Sequence, residues 1–86
     1  MDAWIARLAE ALGEDPLTEE ESDRLLRSSR EVAHRVERKT TPLAAFLLGS
    51  AAGRSVAGGA PRADALAAVL EKLASLLPPG TDGPEP

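Results

Sequence analysis

HRVERKTTPLAAFLLGSAAG, residues 34–53, is the stretch that decides the fold. The charged end of one helix meets Thr40-Thr41-Pro42, a start signal in which Thr41 caps and Pro42 takes the first helical position. A nearly apolar helix follows to about Val56, interrupted on a wheel of roughly 100° per residue only by Ser50, Arg54 and Ser55. A helix apolar almost all round reads as central and buried. Phe46, Gly49 and Gly53 share one side of it. The absent side chains let a neighbouring backbone come close, against ~1 kcal/mol per glycine in helix propensity. This Gly-x-x-x-Gly spacing resembles a small-residue helix contact; tight internal packing is the expectation, with dimerisation its rival.

Upstream, Thr18-Glu19-Glu20-Glu21 forms a capping box, so the second helix begins at Glu19 and continues to about Lys39. Glu19, Glu20, Glu21 and Asp23 come early in it and Arg35, Arg38 and Lys39 late, which suits the macrodipole. Its apolar stripe is thin: Leu25, Leu26, Ser29, Val32, Ala33 and Val36. The first helix runs from about Asp2, its cap, to Leu12, with Gly13 as the stop. Met1, Ile5, Leu8 and Leu12 repeat along one face, and Trp4 sits on the edge of that stripe. Pro16 marks the turn that follows.

Downstream, Gly58-Gly59-Ala60 ends the third helix and Pro61 opens the fourth. Leu66, Leu70, Leu73 and Leu77 form a seam flanked by Val69 and Leu76, suited to near-antiparallel bundle packing. Pro78 and Pro79 stop it. The reading is an all-α, single-domain four-helix bundle over residues 1–77 with a central apolar third helix. Residues 78–86 have nothing to bury and read as a flexible, disordered tail. No strand and no internal repeat is legible.

Composition narrows the function. A core within 86 residues contributes at most ~3–5 kcal/mol, so oligomerisation or docking is a natural supplement. With no cysteine, thiolate chemistry and disulfides are excluded. The start lacks a basic region and a continuous apolar run, so it does not read as a signal peptide. The longest low-charge run, Thr40 to Gly53, has 14 residues, short of the ~20 that span a membrane. Cytoplasmic is the expected location. A net charge of −4, no Tyr, one Phe and one Trp oppose nucleic-acid binding, which calls for basic faces and stacking platforms.

One polar cluster stands out. His34 is the residue with tunable acid–base chemistry near neutrality. On a continuous helix Arg30 and Arg38 lie one turn to either side of it, with Glu37 close by. Arg30, His34, Glu37 and Arg38 are the candidate interaction surface, against the plainer reading of a solvated helix face. Six basic and two acidic residues between Arg24 and Lys39 make this helix locally positive, which reads as solvated face or protein contact. The acidic run at its start is a cap rather than a metal site, because successive helical positions point different ways. No nucleophile context, triad or histidine pair is present, so no catalytic, cofactor-binding or metal residue is assigned and no enzyme is expected.

WIARLAEALG with Trp4 and Leu8, AHRVER (residues 33–38), PLAAFLLG (42–49) and AAGR (51–54) together resemble a family of small actinobacterial helical domains of unknown function. The family occurs alone or appended to molybdenum cofactor guanylyltransferases. The resemblance implies a non-enzymatic accessory role in forming or delivering molybdopterin-guanine dinucleotide. The partner it implies is the guanylyltransferase or a related maturation protein. This chain carries no nucleotidyltransferase domain and no Gly-rich nucleotide loop, which speaks against a direct part in guanylyl transfer. The alternative is a binder of small anions, a pterin or nucleotide phosphate, using Arg35, Arg38 and Lys39. A homodimer through the second helix or the glycine face is a further expectation; no cofactor, nucleic acid or membrane is.

Overall fold

The computed structural model describes residues 2–79. They form four α-helices: α1 (Asp2–Leu12), α2 (Glu19–Arg35), α3 (Thr41–Ala57) and α4 (Arg62–Leu76), with a 3-10 turn at Arg38–Thr40 between α2 and α3. No strand occurs among the described residues. Met1 and most of the expected tail, residues 80–86, lie outside them.

Local chemistry sets the helix ends. At Gly13 (φ +73°) the chain turns left-handed, and two backbone bonds close the end of α1: Gly13 N–H to the Glu10 carbonyl at 3.1 Å and Glu14 N–H to that of Ala9 at 2.9 Å. This pairing satisfies carbonyls that a helix end otherwise leaves open, and glycine adopts the required φ without a Cβ penalty. Gly59 (φ +111°) repeats the device after α3. The capping box of α2 is complete: Glu21 N–H donates to Thr18 Oγ1 at 3.0 Å and Thr18 N–H to Glu21 Oε1 at 2.9 Å.

Three expectations change. Asp2 lies inside α1 rather than capping it. Helix α2 stops at Arg35, not Lys39. The chain reverses over residues 36–40 instead, with Val36 and Glu37 N–H both donating to the Val32 carbonyl at the helix end. Glu37 is extended (φ −169°) and the 3-10 turn carries the chain into α3. Thr41 is consequently the first residue of α3 rather than its cap, and Thr40, at the cap position, makes no side-chain cap bond. The Thr41 hydroxyl is buried with no hydrogen-bond partner.

Packing is uneven. Helices α3 and α4, joined by a short turn, pack most closely, and α2 lies against both. The buried apolar residues among those described are Val32, Ala65 and Leu70. Leu70 comes from the expected α4 seam, whose other leucines are half-buried. Helix α3 touches α2 and α4 but contains no buried residue. That corrects the expectation of a buried third helix: Leu43, Phe46 and Leu47 are 65–75% exposed. Helix α1 stands off, with no Cα within 8 Å of another helix.

Candidate functional site

The stand-off leaves a groove of about 640 Å³ between α1 and the body formed by α2, α3 and α4. Ile5, Leu8 and Leu12 form the α1 wall, and Ala45, Gly49 and Val56 belong to the α3 wall. Leu25 and Val32 of α2, with Leu66 and Leu73 of α4, also line it. The stripe on α1 therefore faces the body, as an amphipathic helix should.

Gly49 and Gly53 sit on this groove. A methyl group built on either meets no atom within 4 Å. The glycine side of α3 is thus open, not the tight internal contact expected of it. Phe46, at the rim of the same side, is exposed.

A fastening ties the turn after α1 to the body. Arg62, the first residue of α4, reaches back to the α1–α2 turn. Its Nη1 donates to the Asp15 carbonyl at 2.8 Å and its Nη2 to the Pro16 carbonyl at 2.7 Å. The same guanidinium grips Glu21 with two prongs, Nε to Oε2 at 3.1 Å and Nη2 to Oε1 at 2.6 Å. Planar two-point pairing of this kind is what arginine, and not lysine, provides. The Arg62 hydrogen bond holds the Glu21 carboxyl below its ordinary value, although burial works in the opposite direction. The Glu21 hydrogen bond in turn raises the Arg62 guanidinium. Nε, Nη1 and Nη2 of Arg62 are all engaged within the chain, so this group acts as a fastening. Sequence reasoning missed it. The available signal was a cation at the first position of a helix, where the macrodipole disfavours positive charge.

The expected polar surface is placed differently. Arg30 and His34 lie on the exposed side of α2, Glu37 lies in the extended link, and Arg38 opens the 3-10 turn. Arg38 therefore does not follow His34 by one turn of the same helix. Glu37 pairs with Lys39 at 3.6 Å, and Arg35 with Glu31 at 2.9 Å. Among the described residues no group of three or more histidines and carboxylates is arranged to hold a metal ion, and no helix is long and apolar enough to cross a membrane.

A family described as a domain of unknown function (DUF6457) matches residues 1–82, and the chain belongs to it. No curated protein and no solved structure matches.

Proposed function

We propose that this member of a family of unknown function is a non-enzymatic protein-interaction module, and that its contact surface is the apolar groove with the adjoining α3 face. One observation carries the reading. Leu8, Leu12, Leu43, Phe46, Leu47 and Val56 remain 40–75% exposed. Contiguous exposed apolar patches larger than a few hundred Å² mark contact sites. The polar cluster at Arg30, His34, Glu37 and Arg38 is a second contact area on this reading. The setting we propose, on the strength of the sequence resemblance, is molybdenum cofactor maturation, with the guanylyltransferase or a maturation protein as partner. The small-anion alternative gains no support: Arg35 and Lys39, two of its three cations, are paired with Glu31 and Glu37.

Capture from the native lysate tests this. The tagged chain is compared with Leu47→Glu and with a His34→Ala/Arg38→Ala double variant. Recovery of a cofactor-maturation protein by wild type, and its loss with Leu47→Glu, is the expected result. Loss only with the double variant would move the contact to the polar cluster. Recovery of no maturation protein from a lysate that contains them would remove the proposed setting.

A further inference from the structure

Resting on the reading that the apolar face is a contact surface, we infer that its occupant in the absence of a maturation partner is a second copy of this chain. Each copy inserts its α3 into the other's α1–α3 groove. The two flanks of α3 carry the argument. One flank, with Ala45, Gly49 and Val56, forms a wall of the groove. The other flank, with Leu43 and Leu47, lies outside the groove, and Phe46 stands between the two. Leu43, Phe46 and Leu47 follow the i, i+3, i+4 spacing by which an amphipathic helix anchors in a groove.

The groove is already open on this side: about 640 Å³ lies between α1 and the body, and no Cα of α1 comes within 8 Å of another helix. A two-fold axis between two α3 helices then produces one layer. Its order is α1 of the first copy, α3 of the second, α3 of the first, α1 of the second. The open glycine flanks face each other across the axis. Leu43 and Leu47 of each copy meet the apolar stripe on the partner's α1. Both flanks of α3 and the inner face of α1 are covered by one operation, as an isologous interface requires.

Three further points favour a second copy over other occupants. From Thr41 to Gly53 the helix carries no charged residue, so a self-pairing contact sets no like charges together at the axis. At roughly 150–200 Å² for a large apolar side chain, the lower part of the aromatic range, Leu8, Leu12, Leu43, Phe46, Leu47 and Val56 at 40–75% exposure offer roughly 600 Å². That is the lower end of the area each partner contributes to a stable interface. A small apolar ligand in the groove would leave Leu43 and Leu47 uncovered.

Sedimentation equilibrium of the full chain up to about 100 µM, with circular dichroism alongside, is the test. The expected result is a wild-type dimer that Leu47→Glu dissociates. Because a separated protomer has a small core, Gly49→Ala/Gly53→Ala supplies a second variant. Both methyl groups enter open space in one protomer and raise helix propensity, so the variant stays folded. Between two α3 backbones the same methyls push the copies apart, and the dimer weakens by about tenfold or more. A wild-type monomer throughout would overturn the second copy while leaving a different protein partner on the same face. A dimer insensitive to both variants would overturn the arrangement and the face together.

Discussion

Arg62 joins three parts of the chain that sequence distance keeps apart: the start of α4, the capping box of α2 and the turn that carries α1. Its side chain is 28% exposed and that of Glu21 10%, so the pair is shielded enough for its loss to matter. Arg62→Ala strands the Glu21 carboxylate and frees the Asp15 and Pro16 carbonyls. A stability loss of about 2–3 kcal/mol is expected, below the range for a fully buried pair. In a thermal melt that is a fall of roughly 10 °C or more, and an unchanged midpoint would refute the fastening. The pH dependence follows from the depressed Glu21 carboxyl. Below its ordinary value of 4.5, the unfolded chain takes up a proton that the folded chain still resists. The contribution of Glu21 is therefore complete above that pH and is lost as pH falls through the lower folded value. In urea unfolding from pH 7 to pH 3, Glu21→Gln should lower stability at pH 7 and show a shallower acid decline than wild type. Parallel curves would contradict the assignment.

The helix ends obey local rules, and their predictions are correspondingly local. Gly13→Ala forces a Cβ into a left-handed backbone at φ +73° and should cost about 1–2 kcal/mol. Thr18→Ala removes the capping acceptor for about 1 kcal/mol. Each is read as a shift in the urea midpoint with an unchanged slope. Because such signals lie within four residues of the feature they control, the stop at Gly13, the start at Glu19 and the turn at Gly58–Pro61 were legible in the sequence. The end of α2 was not, because its charges continue smoothly past Arg35 and no glycine or proline stands there to mark the break. The Glu21–Arg62 pair was not either. Its partners are 41 residues apart, and the capping box already gave Glu21 a sufficient local role. The candidate groove was half legible: the α1 stripe and the glycine spacing could be read, but the distance between them depends on long-range contacts that no local signal reports. An all-round apolar α3 reads as buried from periodicity alone, which reports how much surface seeks cover but not what supplies it.

At the scale of the molecule, Val32, Ala65 and Leu70 are a small core for four helices. Leu70→Ala should therefore cost about 2–5 kcal/mol, comparable to the whole ~3–5 kcal/mol that a core of this size contributes. Loss of the cooperative melt is the expected outcome, and a native-like melt would show that cohesion lies elsewhere. The division between a three-helix body and a stand-off helix also has a spectroscopic side. The sequence contains one tryptophan and no tyrosine, and that tryptophan, Trp4, lies on α1. Indole emission thus comes from the fastened arm alone, whereas far-ultraviolet dichroism is weighted toward the longer helices of the body. An arm that lets go before the body melts would separate the two signals in an unmodified chain: emission would change at a lower temperature than ellipticity, and the interval between them would measure how firmly the Arg62 clasp holds.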